Sequence, residues 1–547
     1  MSPRTTSTTT TATTRSRRPA SVTFVGAGPG DPSLLTLAAV RHLGRADAVI
    51  IDTSARDSLV AEHLRDDIEI VDAGHGEHGQ QLTHASRAKL VVKTAKAHAG
   101  GHVVRLMDGD PATFNGLAEE AKALAKAGIS YEVVPGVSAV NAVPTYAGMP
   151  LTVGHASSVH VVAVTSSKVP DLSGSVADGV TVVLLGDPDN LGAALRALEA
   201  AGRDPKTPVA ITQRGTTTQQ ATVTGTLADA SGLVDDLALP ALAVIGPPVE
   251  LRDELSWFET KPLFGWRVLV PRTKEQSRSM EERLSDFGAT SEVVPTISVE
   301  PPRTPQAMER AVRGLVTGRY EWIGFTSVNA VRAVREKFEE IGLDARAFSG
   351  LKIAAVGGAT AAALQDWGIT ADLVPSGERS AAGLLEEWPP YDDVLDPINR
   401  VFLPRADIAT DTLVAGLQEM GWEVDDVTAY RTVRAAPPPA PTRDAIKSGV
   451  FDAVAFTSSS TVRNLIGIAG KPHASTVIAC IGPATAKTAE ELGLRVDVVA
   501  ESADAVLLVE GLAEHARGRI AQAIAEGHPV TRPSEQAPPA ARKRAKG

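Results

Sequence analysis

The second half of this chain is written twice, about 130 residues apart. Val-Leu-Val-Pro-Arg at 268–272 returns as Val-Phe-Leu-Pro-Arg at 401–405, and Leu284 and Gly288 return as Leu417 and Gly421. VVPTISVEPP (293–302) is echoed by VTAYRTVRAAPPP (427–439), IGFTSVNAVRAV (323–334) by VAFTSSSTVRNL (454–465), and AVGGATAAAL (355–364) by CIGPATAKTA (480–489). Solenoid repeats span roughly 20–50 residues, so units this long predict two copies of a whole α/β domain. Ligands of such pairs favour the cleft between the copies, which is where function is first sought.

At 547 residues, and with roughly 100–200 residues per domain, three or four domains are expected. Apolar residues make up 43% and aromatics only 4%, which predicts an aliphatic core. No apolar run approaches the roughly 20 residues that span a bilayer. The single cysteine, Cys480, excludes a disulfide framework and a cysteine-based zinc cluster, and its strand-like setting reads as core rather than nucleophile. No metal site is expected. A net charge of −11 argues against coating nucleic acid. Residues 1–20 are Ser/Thr-rich and basic without an apolar stretch, and the Pro-rich basic run 528–547 closes the chain; both read as disordered tails in a cytoplasmic protein.

From 21 to about 250, strand-like runs alternate with Ala-rich helical ones, the α/β pattern. Ten candidate strands are SVTFVGAG (21–28), DAVIID (47–52), IEIVD (68–72), HVVRLMDG (102–109), YEVVPG (131–136), VHVVAV (159–164), VTVVLLG (180–186), PVAITQRG (208–215), QATVTG (220–225) and ALAVIG (241–246). A loop-like stretch, 135–152, divides them into two sets. Gly26-Ala27-Gly28-Pro29-Gly30-Asp31-Pro32 follows the first strand and opens a helix expected near Ser33. Glycines there let backbone N–H groups approach a ligand at a helix N-terminus. A dinucleotide fold is disfavoured, because Asp31 replaces the third glycine of GxGxxG and two prolines stiffen the turn.

VGAGPGDPSLLTLAAVRHL (25–43), VVRLMDGDPATF (103–114), VVPGVSAVNAVPTYAGMPLT (133–152), TPVAITQRGTTTQQATVTGTLAD (207–229), PALAVIGPPVEL (240–251) and RDELSWFE (252–259) together resemble the tetrapyrrole methyltransferases, especially uroporphyrinogen-III C-methyltransferase. The resemblance covers about 21–259 and implies two α/β subdomains with S-adenosylmethionine in the cleft between them. By motif it places the cofactor against Pro29, Gly109, Asp110, Thr113, Ser138, Ala139, Leu185 and Gly215. The chain also departs from the family. Thr53 follows Asp52 where an arginine is usual, Leu59-Val60 come late, the lysine after the third strand is missing from 71–81, and Asn115-Gly116 and Asp108 replace family glycines and arginine. Cations expected to face an anionic porphyrinogen are therefore depleted. Two roles stay open to Asp52, a base or a loop cap. His75 and His78 read as proton shuttles or, more simply, as solvated surface residues.

VLVPRTKEQS (268–277), FTSVNAV (325–331), AVGGAT (355–360), FLPRAD (402–407), AYRTV (429–433), FTSSSTVRNL (456–465) and CIGPATAKTA (480–489), in order and in duplicate, resemble uroporphyrinogen-III synthase over about 265–515. The implied fold is two α/β domains joined by a two-stranded ladder, with Pro-rich runs at 301–305 and 436–441 marking the strand exits. The implied substrate, hydroxymethylbilane, is a linear tetrapyrrole bearing eight carboxylates that closes unaided to the wrong isomer. Catalysis then consists mostly of holding the chain so that ring D closes inverted through a spiro intermediate, and no cofactor is expected. Ser327, Asn329, Thr360, Ser458 and Thr485 all follow strands and precede helices, so they read as helix caps, as carboxylate donors, or as both. By resemblance Tyr430 donates to the departing hydroxyl; packing at the hinge is the other reading. Arg272 and Arg405, equivalent in the two repeats, are available to substrate carboxylates or to neighbouring acids.

The expected organisation is a tail (1–20), a tetrapyrrole-methylase domain (21–259), a linker (260–265), a synthase domain (266–517) and a tail (518–547). Within the synthase, subdomain one takes 266–300 with 434–517 and subdomain two takes 301–433. The expected function is cyclisation of hydroxymethylbilane, fused to a methyl transfer of reduced activity. The alternative from another class is an N-terminal half that only binds. Small tetrapyrroles are the expected partners, with a homodimer through the methylase half.

Overall fold

In the computed structural model the described residues are 20–536, apart from 53–62, 66–67, 76–81, 155, 165–168, 230–231 and 235–240. Thr53, Leu59, Val60, His78 and the outer parts of both expected tails lie outside them. The chain divides into two compact units at Trp266–Arg267, with Asp286–Thr290 counted in the first.

The first unit holds β1 (Ser21–Gly26), β2 (Ala48–Ile51), β3 (Glu69–Asp72), β4 (His102–Met107), β5 (Tyr131–Val134), β6 (Ser158–Val164), β7 (Val180–Gly186), β8 (Pro208–Gln213), β9 (Ala221–Thr226) and β10 (Ala241–Ile245). All ten expected strands are present. One sheet is wholly parallel, in the order β3-β2-β4-β1-β5. The other runs β6-β7-β10-β8-β9, with β6 and β7 parallel and the rest antiparallel. Unbroken apolar runs suit a parallel sheet covered on both faces. Along β4, Val104 and Leu106 pack with Ala39 and Leu43, whereas Val103 and Met107 pack on the opposite side with Val91 and Leu124.

Two local expectations change. The helix expected near Ser33 begins at Leu37, because Asp31 caps a separate 3-10 turn (Pro32–Leu34) and Thr36 caps the helix proper. The stretch expected as loop, 135–152, contains the helix Ala139–Tyr146 with Pro144 inside it. Ser138 caps its start, and the proline forfeits one N–H bond in a helix otherwise held by burial of Val140, Ala142, Val143 and Tyr146.

The second unit holds β11 (Arg267–Val270), β12 (Thr290–Val293), β13 (Ile297–Glu300), β14 (Trp322–Phe325), β15 (Lys352–Ala355), β16 (Arg400–Ala406), β17 (Glu423–Arg434), β18 (Ala453–Phe456), β19 (Val477–Cys480) and β20 (Val498–Val499). They form two five-stranded sheets, β12-β11-β18-β19-β20 and β13-β17-β16-β14-β15. β13 and β17 make an antiparallel ladder, from Ile297 opposite Arg434 to Glu300 opposite Arg431. The Pro-rich runs follow these two strands, and the helices Pro305–Val316 and Ala440–Ser448 start within them. Cys480 is a fully buried core residue whose thiol is pushed up to about 12 by burial. The helix Ala505–Ala525 runs past the boundary drawn at residue 517, since neither Pro nor Gly other than Gly511 and Gly518 interrupts it before Gly527. Among the described residues no helix is long and apolar enough to cross a membrane.

The most costly feature of the first sheet is a buried charge. Arg105 sits in the middle of β4 with no exposed surface, on the face of Val103 and Met107. Its guanidinium donates to Glu120 (2.9 and 3.2 Å), to Asp52 (3.0 and 3.1 Å) and to the Leu106 carbonyl (2.8 Å). Desolvation opposes its charge, but bonding to Glu120 and then Asp52 outweighs this and raises its pKa. Burial pushes the Glu120 carboxyl up, with Arg105 pulling against it. Removing one partner strands a buried ion, at a cost of about 3–5 kcal/mol. Arg105→Met is therefore expected to lose about that much stability in urea unfolding, and Arg105→Met with Glu120→Met to recover most of it. An equal loss in the single and double variants would contradict this.

Candidate functional site

In the first unit the turns after β1, β4 and β5 meet through glycines. Gly28 (φ +74°) and Gly109 (φ +60°) exchange backbone hydrogen bonds, Gly109 N–H to Gly28 O at 2.8 Å and the reverse at 3.2 Å. A Cβ on Gly136 would lie 2.1 Å from the Gly109 carbonyl oxygen, so side chains are excluded where these turns cross. Asp110 fixes the same crossing. One carboxylate oxygen accepts from Ala112 N–H (2.9 Å) and Thr113 Oγ1 (3.4 Å), and the other accepts from Gly136 N–H (3.0 Å). Ser138 caps the helix that Ala139 begins, and Ala139 N lies 3.6 Å from where a Gly109 Cβ would stand.

The second sheet of this unit reaches the same place. A Cβ on Gly30 would lie 3.2 Å from the Gly215 carbonyl oxygen, and one on Gly215 would lie 2.4 Å from Val143 Cγ2. Leu185, near the end of β7, packs with Val140 and Val143. Pro29, Gly109, Asp110, Thr113, Ser138, Ala139, Leu185 and Gly215 are thus drawn to one set of strand ends. Asp52 is turned elsewhere: both its oxygens face Arg105, and Arg87 Nε lies 3.6 Å away. His75 is exposed, its N–H donating to Asp72 at 3.3 Å.

Backbone strain gathers here as well. Among the described residues, the non-glycines with positive φ are Phe114 (+63°), Arg214 (+49°) and Thr216 (+66°), all flanking these turns. Each costs on the order of 1–3 kcal/mol, a level that marks functional sites. Phe114 is also 55% exposed, an aromatic held beside the Asp110 turn by Asn115, whose amide donates to the Asp108 and Asp110 carbonyls at 2.6 Å. No residue type in the sequence signals a positive φ at Phe or Thr, so these positions were missed.

In the second unit the candidates again stand at strand ends. Ser327 caps the helix Val328–Glu340, accepting from Ala330 N–H at 3.1 Å, and its Oγ lies 2.9 Å from the hydroxyl of Tyr430 on β17. Asn329 is half-buried in that first turn. Ser458 caps Ser459–Ala469 in a reciprocal arrangement with Thr461. Thr360 and Thr485 are buried in the first turns of Gly358–Asp366 and Pro483–Glu491, two helices whose caps, Gly357 and Gly482, supply no side-chain acceptor. Their first N–H groups are the kind of donor a carboxylate takes.

The two equivalent arginines differ. Arg405 is buried and satisfied, donating to Asp426 at 2.8 Å through Nε, pairing with it again through Nη2, and reaching the Thr410 carbonyl. Arg272 is half-buried and has no ion pair among the described residues; desolvation pulls its pKa below the usual arginine range. No cluster of three or more His, Cys, Asp or Glu among the described residues is placed to hold a metal.

A family model described as Tetrapyrrole (Corrin/Porphyrin) Methylases matches residues 21–231, and one described as Uroporphyrinogen-III synthase HemD matches residues 278–510. The porphyrin biosynthesis protein HemD of Ruminiclostridium josui is 30% identical over 521 residues, covering 91% of this chain and 99% of that protein. The uroporphyrinogen-III C-methyltransferase of Bacillus subtilis is 34% identical over 318 residues, 57% of this chain and 64% of its own length. Siroheme synthase 2 of Aeromonas hydrophila is 38% identical over 241 residues, and the chain spans only 51% of it. Among solved structures, uroporphyrin III C-methyl transferase of Thermus thermophilus is 31% identical, with 42% of this chain and 99% of that chain covered and a TM-score of 0.37. The chain belongs to the family of the Ruminiclostridium josui porphyrin biosynthesis protein, and it joins a tetrapyrrole methylase domain to a uroporphyrinogen-III synthase domain for tetrapyrrole biosynthesis.

Proposed function

We propose that the second half cyclises hydroxymethylbilane to uroporphyrinogen III and that the first half transfers methyl groups from S-adenosylmethionine to that product, toward precorrin-2. The observation that carries this reading is the match to a porphyrin biosynthesis protein along 91% of the chain, through both halves in order. It disfavours the alternative of an N-terminal half that only binds.

In the synthase, loss of the substrate's hydroxyl leaves a conjugated cation that ring D attacks at its substituted α-carbon. The spiro intermediate then rearranges, and the ring closes inverted. Tyr430 donates a hydrogen bond to the departing oxygen, which leaves with a proton as water. Ser327 suits this role: its Oγ lies 2.9 Å from Tyr430 Oη, and with the serine as donor in this pair the phenolic proton is left for the substrate. Arg272 is the better of the two equivalent arginines for a substrate carboxylate, because Arg405 is already satisfied by Asp426. Arg405 then acts by fixing β16 to β17. Thr360 and Thr485 help to shape the uncapped first turns that bind other carboxylates.

In the methylase, residues fit a bent nucleoside. Asp110 uses three of roughly four lone-pair directions on protein donors, which leaves acceptor capacity for a ribose hydroxyl or an amine. Pro29, Gly109, Thr113, Ser138, Ala139, Leu185 and Gly215 surround it with small or apolar groups. The cofactor, once bound, supplies an electrophilic methyl group; the chain orients it and excludes water. Asp52, engaged by Arg105, is assigned to holding the end of β2 against β4 rather than to proton transfer. The fused enzyme is bifunctional and cytoplasmic in this reading. A homodimer through the methylase half is supported by the exposed Tyr131 and Val133 on the edge strand β5.

Tyr430→Phe is expected to fold normally and to slow isomer III formation about 5- to 150-fold, the worth of a hydrogen bond of about 1–3 kcal/mol made in the transition state. The loss should fall on kcat rather than KM, since the hydroxyl leaves only as its bond breaks. Unchanged turnover would return Tyr430 to hinge packing. Because the family's porphyrinogen-facing cations are depleted, methylation of added uroporphyrinogen III is expected to run below roughly 1 per second. Faster turnover would show those departures to be harmless.

A further inference from the structure

The family model's match ends at residue 231, and the segment 252–259, near the end of this unit, is bound to its site. Trp257 Nε1 donates to the Thr145 carbonyl (3.1 Å), and Arg252 Nη1 donates to the Ala147 carbonyl (2.7 Å). The Trp257 and Phe258 rings meet Tyr146 edge-on at 5.0 and 4.7 Å. Beside them Glu259, paired with Arg252, accepts from Gln220 Nε2 and Thr222 Oγ1, both at 2.8 Å.

This carboxylate settles the orientation of Gln220. An ionised carboxylate only accepts, so the Gln220 NH2 must face Glu259 and its carbonyl oxygen must face the other way. There it accepts Thr216 N–H at 2.7 Å, which helps to hold that β-branched residue at φ +66°. Thr216 and Gln220 are both buried. Thr216 Oγ1 in turn accepts Asp31 N–H at 3.1 Å, and the Asp31 carboxylate accepts from Tyr146 Oη at 2.8 Å. Burial and Asp31 raise the Tyr146 pKa, so its hydroxyl remains a donor. The chain of bonds returns to the aromatic cluster where it began.

We propose that Glu259, Gln220, Thr216, Asp31 and Tyr146 form a closed positioning relay that sets the distance between the Pro29 and Gly215 turns, and hence the affinity for the methyl donor. The strain at Thr216 is held by bonds whose origin is Glu259, at the far end of the same unit. None of the five needs to touch the donor; they act through the turns that do. The proposal rests on the reading of this half as an S-adenosylmethionine site.

Calorimetry of the full chain with S-adenosylmethionine tests it. Thr216→Val keeps the branched shape but cannot accept from Asp31, whereas Thr216→Ser keeps the hydroxyl. Thr216→Val is expected to bind about tenfold more weakly, the worth of one lost hydrogen bond. Thr216→Ser is expected to stay within about twofold of the parent, with the melting curves of both variants near that of the parent. Glu259→Ala is expected to weaken binding in the same direction as Thr216→Val. Equal binding by parent and Thr216→Val, or equal weakening in Val and Ser, overturns the relay and leaves the reading of this half intact. An absence of binding by the parent chain overturns that reading, and the relay with it.

Discussion

Parallel strands covered on both faces leave few places where backbone can meet a ligand, and the turns at their ends are the main ones. That constraint organises both halves. In the methylase the turns after β1, β4 and β5 are drawn so close that Gly26 and Gly136 exclude side chains. In the synthase Ser327, Thr360, Ser458 and Thr485 occupy four equivalent turns after β14, β15, β18 and β19. Each turn opens a helix whose first N–H groups have no intrahelical partner. A substrate with eight carboxylates and a polar nucleoside cofactor, as in the proposed reading, both suit such ends.

Strands were legible because alternation and β-branched runs are local signals: all ten expected strands of the first half are present. The helix Ala139–Tyr146 was hidden by Pro144, which reads as a breaker unless burial of the surrounding residues is known. The candidate cofactor residues were named by motif, and the fold draws them together. What could not be read was pairing across distance. Arg105 finds Glu120 and Asp52, and Asp31 finds Tyr146 and Thr216 (115 and 185 residues away), only once the sheets are assembled. A positive φ at Phe114 or Thr216 is likewise imposed by tertiary bonds and leaves no mark in residue type.

The duplicated arginines show how far repeats diverge under one fold. Arg272 and Arg405 hold the same place in the repeated sequence, Arg272 just after β11 and Arg405 near the end of β16, yet among the described residues only Arg405 meets an acid, Asp426 on the adjacent β17. A satisfied guanidinium fastens structure, whereas a half-buried guanidinium without an ion pair among the described residues retains the capacity to take an anion. The sequence alone left both roles open for both residues, because the deciding neighbour lies on another strand.

The central claim of the proposed reading is that the duplicated half closes hydroxymethylbilane with inversion of ring D mostly by positioning, without a cofactor. The most direct measurement is to incubate the full chain with hydroxymethylbilane, omit S-adenosylmethionine, and identify the isomer after oxidation to the porphyrin. The account predicts isomer III in excess over the spontaneous product. Recovery of isomer I alone, from protein shown to be folded, would contradict it.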